Sequence, residues 1–305
     1  MRCAWENLES TLGTYTFSAL ESNVAQVLAW GKRAAISLTT TGFYPARTHS
    51  RAPSYITTDN ATYGGLVGSG GELQSTPWDG NSQYNTVNLW NTAVYNRFKA
   101  LIDALAVQFD GRIEYFLYGE IATQLTDAEV SNVGGKSAIA AKQLEVYDYI
   151  KSKFVNTSVF VAMNYLSGTA PTRQEVYDNL NSHKNNGKTA AVELAFPVAD
   201  PLYPNFTPSI TNAHLENTHE IVRSFPANQR RFIFSEANGS TMADYSSAVQ
   251  NRQAIRWASY MSQGCTNPIW RVTINDGIGG GPGASNYGLQ WAALSPYLTS
   301  LYLRQ

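Results

Sequence analysis

The feature that most constrains this chain is a regular alternation, kept up to the C-terminus. Short apolar runs alternate with longer stretches whose apolar residues recur at helical spacing. Residues 2–5 read as the end of a strand, 17–30 as an amphipathic helix stopped by Gly31, and 33–38 as the next strand. Further on, strands over 112–118, 158–164, 189–196, 230–236 and 268–275 alternate with helices over 89–109, 136–154, 172–184, 212–224, 247–262 and 289–303. Alternation of this kind places the strands side by side in a parallel sheet with helices outside it. Its length and monotony over 305 residues favour a TIM-type (β/α) barrel over a doubly wound sheet. No linker or shift of composition interrupts it, so residues 1–305 read as one barrel domain. The densest glycine cluster, from Gly277 to Gly283, lies far from the first strand, where a dinucleotide fingerprint would have to stand.

The alternation makes seven strand–helix units, one short of a complete barrel. Because the chain opens on a strand end, the missing unit is expected to be the first. Closure by a partner chain, by a displaced segment, or an exposed edge would follow. An open parallel edge invites pairing, so a homodimer through that edge is the corresponding expectation. The opening residues also read as the middle of a fold, without the basic-then-apolar layout of a signal peptide. A secreted or periplasmic location would follow if a leader precedes them. One segment breaks the rhythm. Residues 39–87 are rich in Gly, Ser, Thr, Asn and Pro and too long for a plain connection, so they are expected either to shape a cleft over the barrel mouth or to lack fixed structure.

In such barrels chemistry sits where strands end at the C-terminal face. The strand RIEYFLY runs through Gly119 directly into Glu120, with aromatic residues behind the carboxylate to raise its pKa by desolvation. Gly119 is read here as the residue that lets the backbone turn. The strand RRFIFSE runs in the same way into Glu236, followed by the turn sequence Ala237-Asn238-Gly239-Ser240. The two glutamates are 116 residues apart, about three βα units. That sets them on opposite sides of a barrel mouth. Two carboxylates across a cleft are what glycosidic cleavage needs: one protonates the leaving oxygen, the other attacks or activates water. Glu193, inside TAAVELAF, is the rival for the second role, with a buried structural carboxylate as its commoner use. Glu6 and Glu9 follow the first strand and are read by default as surface residues.

Composition supports this reading and narrows the partners. Aromatics make up 12% of the chain, with 7 Trp and 18 Tyr, and ring faces beside Asn, Gln and carboxylates suit the apolar C–H faces and hydroxyl rims of sugars. With 15% charged residues and a net charge of -1, neither nucleic acid nor an anionic membrane is implied. No apolar run is long enough to span a membrane. Cys3 and Cys265 have no ligand spacing, so a metal or redox site is not expected; two free thiols are favoured over one disulfide. His49, His183, His214 and His219 are scattered and read as surface or capping residues, and the chemistry requires no cofactor.

The residues also carry a resemblance. Trp5, Leu8, Glu9, Gly13, Tyr15, Phe17, Leu20, Gly31 and Lys32 stand where they recur after the second strand of retaining (β/α)8-barrel glycoside hydrolases, the large clan that includes cellulase-like and β-galactosidase-like families. The run LWNTAVYNRFKALIDALAVQFDGRIEYFLYGE resembles the helix and fourth strand that deliver the acid/base there. The resemblance implies Glu120 as acid/base on the fourth strand and Glu236 as nucleophile on the seventh, in a retaining mechanism on a β-linked glucan or galactan. It also implies that the match begins at the second strand, in keeping with the missing unit. The chain departs from the pattern at Gly119, where those families usually place an Asn that binds the sugar 2-hydroxyl. The expected substrate-binding residues are Trp5 at the first strand end, Trp78 in the long segment, Asn164 and Tyr165 after the fifth strand, and Asn275 after the last. Trp90, Trp257, Trp270 and Trp291 are expected to pack. A catalytically weak or inactive carbohydrate-binding barrel is the alternative function.

Overall fold

The computed structural model describes residues 1–41, 49–64, 71–75, 84–119, 125–163, 182, 185–186, 191–193, 232–235 and 272–274. The chain divides into two compact units, Met1–Asn179 and Leu180–Gln305. In the first, β1 (Arg2–Ala4), β2 (Ala35–Thr39), β5 (Tyr115–Gly119) and β6 (Ser158–Met163) pair in that order, all parallel. Each crossover carries a helix: α2 (Ser18–Ala29), α5 (Thr92–Phe109) and α7 (Lys136–Lys153). Three further strands, β7 (Ala191–Glu193), β8 (Phe232–Ser235) and β9 (Val272–Ile274), pair in parallel in the second unit. These strands fall inside the apolar runs read from the sequence. The helices expected over 212–224, 247–262 and 289–303, and nearly all of 172–184, lie outside the described residues.

The helices form where the sequence offers both a stripe and a stop. In α5 the apolar residues Val94, Phe98, Leu101, Leu105 and Phe109 recur every three or four positions and are fully or almost fully buried. Burying side chains of this size contributes roughly 1.5–3 kcal/mol each. The helix begins three residues later than the apolar pattern suggests because Asn91 caps it. The Asn91 side-chain oxygen accepts from Ala93 N–H (2.8 Å) and Val94 N–H (3.2 Å). The expected stop after α2 is present, with Gly31 in the left-handed region at φ +68°. In β2 the alternate residues Ile36 and Leu38 are fully buried, as period-two patterning requires. The core of this unit is strongly aromatic. Phe98 lies 5.8 Å from Trp5 and 5.2 Å from Tyr118 between ring centroids, and Phe116 stacks on Phe154 at 4.6 Å.

The segment 39–87 departs from its expected irregularity. Its described parts hold α3 (Ser54–Thr58), α4 (Asn60–Tyr63) and an antiparallel pair of strands, β3 (Glu72–Ser75) and β4 (Tyr84–Val87). Short elements with polar sequences leave little periodicity to read, and these are fixed by long-range contacts. Leu73 is fully buried with Leu125, Val133 and Ile139, with Trp90 and Val130 packed around them. Two more short helices complete the described part of this unit, α1 (Trp5–Leu8) and α6 (Asp127–Asn132). Trp5 therefore opens a helix instead of ending a strand.

Candidate functional site at the strand ends

The C-terminal ends of β1, β2 and β5 lie at one level, because Ala4 is the register partner of Thr39 and Thr39 of Gly119. The chain beyond β2 is tied to this edge. Arg51 N–H donates to Thr40 O (2.9 Å), and Glu6 N–H donates to Arg51 O (2.8 Å). Arg51 also pairs with the Glu6 carboxylate at 3.3 Å. Two buried hydroxyl pairs reinforce the edge, Thr40 with Tyr118 at 2.8 Å and Thr41 with Thr86 at 3.0 Å. Desolvation pushes the Tyr118 phenol well above its ordinary pKa, and the Thr40 hydrogen bond offsets only part of this.

Beside this edge lies a feature the sequence reading passed over. His49 Nδ1 is 2.9 Å from Glu72 Oε2, on a side chain of β3 that is 2% exposed. The same carboxylate accepts from the Ser50 backbone N–H and from Asn85 Nδ2 (3.4 Å). Three donors thus converge on one buried carboxyl group, which is what makes its burial tolerable. The imidazole itself is 53% exposed. With Nδ1 taken by Glu72, its other nitrogen is the one open to a hydroxyl group. His49 and Glu72 are 23 residues apart and belong to no motif, so only the fold brings them together. An isolated histidine gives no sequence signal of such a partner.

Four of the expected site residues follow directly from described strand ends. Glu120 succeeds Gly119 of β5, Asn164 succeeds Met163 of β6, Glu236 succeeds Ser235 of β8 and Asn275 succeeds Ile274 of β9. Ser235 and Ile274 are register partners. Glu120, Glu236, Trp78, Asn164, Tyr165 and Asn275 themselves lie outside the described residues. Glu193, the rival, is the last residue of β7 and the register partner of Phe234.

Three expectations change. Trp5 has no exposed surface; its ring stands edge-on to Phe98 and its indole N–H donates to Glu9 Oε2 (2.9 Å), so neither face is open to a sugar. Glu9 is not a surface residue: it is fully buried and also accepts from Gly13 N–H (2.9 Å) and from the Arg97 guanidinium. Burial works against the Arg97 charge, but hydrogen bonds with Tyr55 and Glu9 hold its pKa above the ordinary value. Gly119, finally, does not adopt the left-handed backbone of a tight turn. A Cβ there would meet Leu38 O at 3.5 Å and Ser37 Oγ at 3.7 Å, which is ordinary contact.

Among the described residues no group of His, Cys, Asp and Glu side chains could hold a metal ion. No described helix is long and apolar enough to cross a membrane. Cys3 is a free thiol; Cys265 lies outside the described residues.

No family model matches the chain, and no curated protein sequence matches it. The solved structures it resembles include several glycoside hydrolases. The catalytic domain of β-amylase from Paenibacillus polymyxa is 8% identical with a TM-score of 0.55, over 98% of this chain and 89% of that one. Xylanase XynB from Paenibacillus barcinonensis is 11% identical with a TM-score of 0.51, over 90% of this chain and 74% of the xylanase. Endo-glycoceramidase II from Rhodococcus sp. is 13% identical with a TM-score of 0.51, over 93% of this chain and 66% of the glycoceramidase. At such identities the likeness concerns the fold, a parallel α/β architecture of the TIM-barrel type that this chain shares with glycosidases.

Proposed function

We propose that the chain is a glycoside hydrolase that cleaves β-linked glycans of the glucan or galactan type by a retaining double displacement. In this reading Glu120 protonates the glycosidic oxygen while Glu236 attacks the anomeric carbon. Water then hydrolyses the glycosyl-enzyme with Glu120 acting as base. The observation that carries the reading is positional. Each glutamate is the residue directly after the C-terminal end of a parallel strand, β5 and β8, in a fold whose chemistry is built at such ends. The exposed imidazole of His49, held by Glu72 beside the same edge as β5, supplies a polar group suited to sugar hydroxyls.

A panel of aryl β-glycosides and β-linked polysaccharides tests this, with Glu120→Gln and Glu236→Gln as controls and the anomeric configuration of the first product followed by NMR. Cleavage with retention, abolished by either substitution, is the expected result. A fully active Glu120→Gln variant overturns the assignment, and net inversion overturns the mechanism. A retaining pair also requires carboxyl groups about 5–5.5 Å apart.

Gly119 supports a second reading, a barrel that binds carbohydrate with little or no hydrolysis. This residue replaces the Asn that precedes the acid/base in the families the sequence resembles. Binding of an oligosaccharide without turnover in the same panel would favour it.

A further inference from the structure

His49 and Ser50 close on one carboxyl group from two directions. The Ser50 backbone N–H donates to Glu72 Oε1, while His49 Nδ1 stands 2.9 Å from Glu72 Oε2. Two neighbouring residues on the two oxygens of a buried group fix the plane of the imidazole, and the ring still stays more than half exposed.

Both sides of this contact are anchored. Ser50 is buried, and its Oγ accepts from Ala52 N–H (3.3 Å). Arg51, the next residue, is held through its N–H by Thr40 and through its carbonyl by Glu6. On the other side, Glu72 pairs with Val87 of β4, and Gly71 O accepts from Asn88 N–H (2.8 Å). Leu73 turns the opposite way into its buried cluster, and the Thr86 hydroxyl meets that of Thr41. The histidine and its carboxylate are thus fastened to Thr40 and Thr41, directly after β2, and to Glu6, two residues past β1. That is the strand-end edge at which barrels carry their sites.

The neighbours of Glu72 also assign the proton in the contact. Oε1 accepts from Ser50 N–H and Oε2 from Asn85 Nδ2 (3.4 Å), so the carboxylate acts as an acceptor and the shared proton belongs on Nδ1. A neutral imidazole protonated there carries a bare lone pair on Nε2, and among the described residues no donor takes it. We propose that His49 Nε2 accepts a hydrogen bond from one hydroxyl of the glycan, with Glu72 as the positioning residue that sets the ring and its tautomer. This rests on the glycoside hydrolase reading. The group read must own a proton; a methyl ether or a fluorine in its place has none to give.

Long-range 1H–15N spectra of the histidines at pH 8 read the tautomer without any ligand. His49 is expected to carry its proton on Nδ1. In Glu72→Gln the Ser50 N–H still requires an oxygen, so the amide nitrogen faces Nδ1 and the tautomer is expected to reverse. His49→Asn keeps a donor to Glu72 and removes Nε2, a change at an exposed position that decides the matter even if the Gln variant does not accumulate as folded protein. Calorimetric titration with cellotetraose and β-1,4-galactotetraose should show binding by the wild type that weakens about fivefold or more in His49→Asn. Among monodeoxyfluoro analogues of the bound sugar, one should lose a similar factor on the wild type and nothing on His49→Asn. A wild-type proton on Nε2 overturns the assignment, and an unreversed Gln variant overturns the part given to Glu72. Equal affinity of wild type and His49→Asn, in a chain that cleaves β-glycans, overturns the hydroxyl contact alone. A wild type that neither binds nor cleaves any glycan overturns the glycosidase reading together with it.

Discussion

Replacing Arg97 by methionine would strand the Glu9 carboxylate inside the first unit. Glu9 has no exposed surface and takes three donors, Trp5 Nε1, Gly13 N–H and the Arg97 guanidinium, of which Arg97 carries the charge. Arg97 also reaches the Tyr15 hydroxyl (3.3 Å) and the Tyr55 hydroxyl (3.4 Å), so its removal leaves two phenols short of a donor as well. Breaking a buried pair by deleting one partner costs about 3–5 kcal/mol. The Arg97 side chain is 22% exposed, so some water can replace it, and the expected loss is about 3 kcal/mol. That is a large share of the ~5–15 kcal/mol that separates folded from unfolded domains. Glu9→Gln in the same background removes the orphaned charge, although its single amide oxygen can keep only one of the two donors, Trp5 Nε1 on Oε2 or Gly13 N–H on Oε1. The double variant should therefore recover part of the loss and lie about 1–2 kcal/mol below wild type. Urea unfolding followed by tryptophan fluorescence measures all four corners of the cycle, and Trp5 is itself a reporter of the site. A loss below about 1 kcal/mol for Arg97→Met, or a double variant as unstable as the sum of the singles, would refute the account of Glu9 as a buried, charge-compensated acceptor.

Other expectations are more local. Burial pushes the Asp110 carboxyl up in pKa, but hydrogen bonds from the Asn156 N–H and side chain and from Thr157 outweigh it and leave the value lowered. Its contribution is therefore full above the ordinary carboxylate range and lost as pH falls through the lowered value. Asp110→Ala should cost about 0.5–1 kcal/mol at pH 7, because water screens these exposed hydrogen bonds, and progressively less near pH 3, read by denaturation at several pH values. Gly119→Ala should stabilise by about 0.5–1 kcal/mol, because the site has room for a Cβ and no left-handed backbone; a thermal-melt loss of that size would contradict this. The Cys3 thiol is pushed up to about 12 by burial, so in a Cys265→Ser background its alkylation at pH 8 should run roughly a thousandfold slower than that of an ordinary thiol. His49→Ala should raise KM severalfold on any cleaved glycan, whereas unaltered steady-state kinetics would remove His49 from the site.

What could be read from the sequence follows the range of the forces involved. Local devices were legible: the stop at Gly31, the stripe of α5, and the strand that runs into Gly119 all depend on residues within a few positions of each other. A charge in the sequence, by contrast, shows its cost of burial but not its partner. Glu9, Glu72 and Glu129 each look like solvent-facing residues until Arg97, His49 and Gln74, 88, 23 and 55 residues away, are brought against them. Trp5 was misread for the same reason, since a tryptophan beside a strand end offers a platform unless something covers it, and here Phe98 and Glu9 do. For Glu120 and Glu236 the strand ends themselves were legible, as Gly119 and Ser235 stand where the apolar runs predict.

The cap of α5 has a consequence for how the first unit can vary. The Asn91 oxygen starts the helix, while its Nδ2 donates to Tyr63 O (2.9 Å) and Gly64 O (2.8 Å), at the end of α4. One side chain thus sits on both sides of the boundary between the segment 39–87 and the barrel scaffold. Shortening that segment past Tyr63 would leave the Asn91 amide without its two carbonyls and loosen the first turn of an eighteen-residue helix. Grafting or deleting it is therefore a change to the scaffold, and loop exchange between barrels of this kind should take α4 and Asn91 together as one piece.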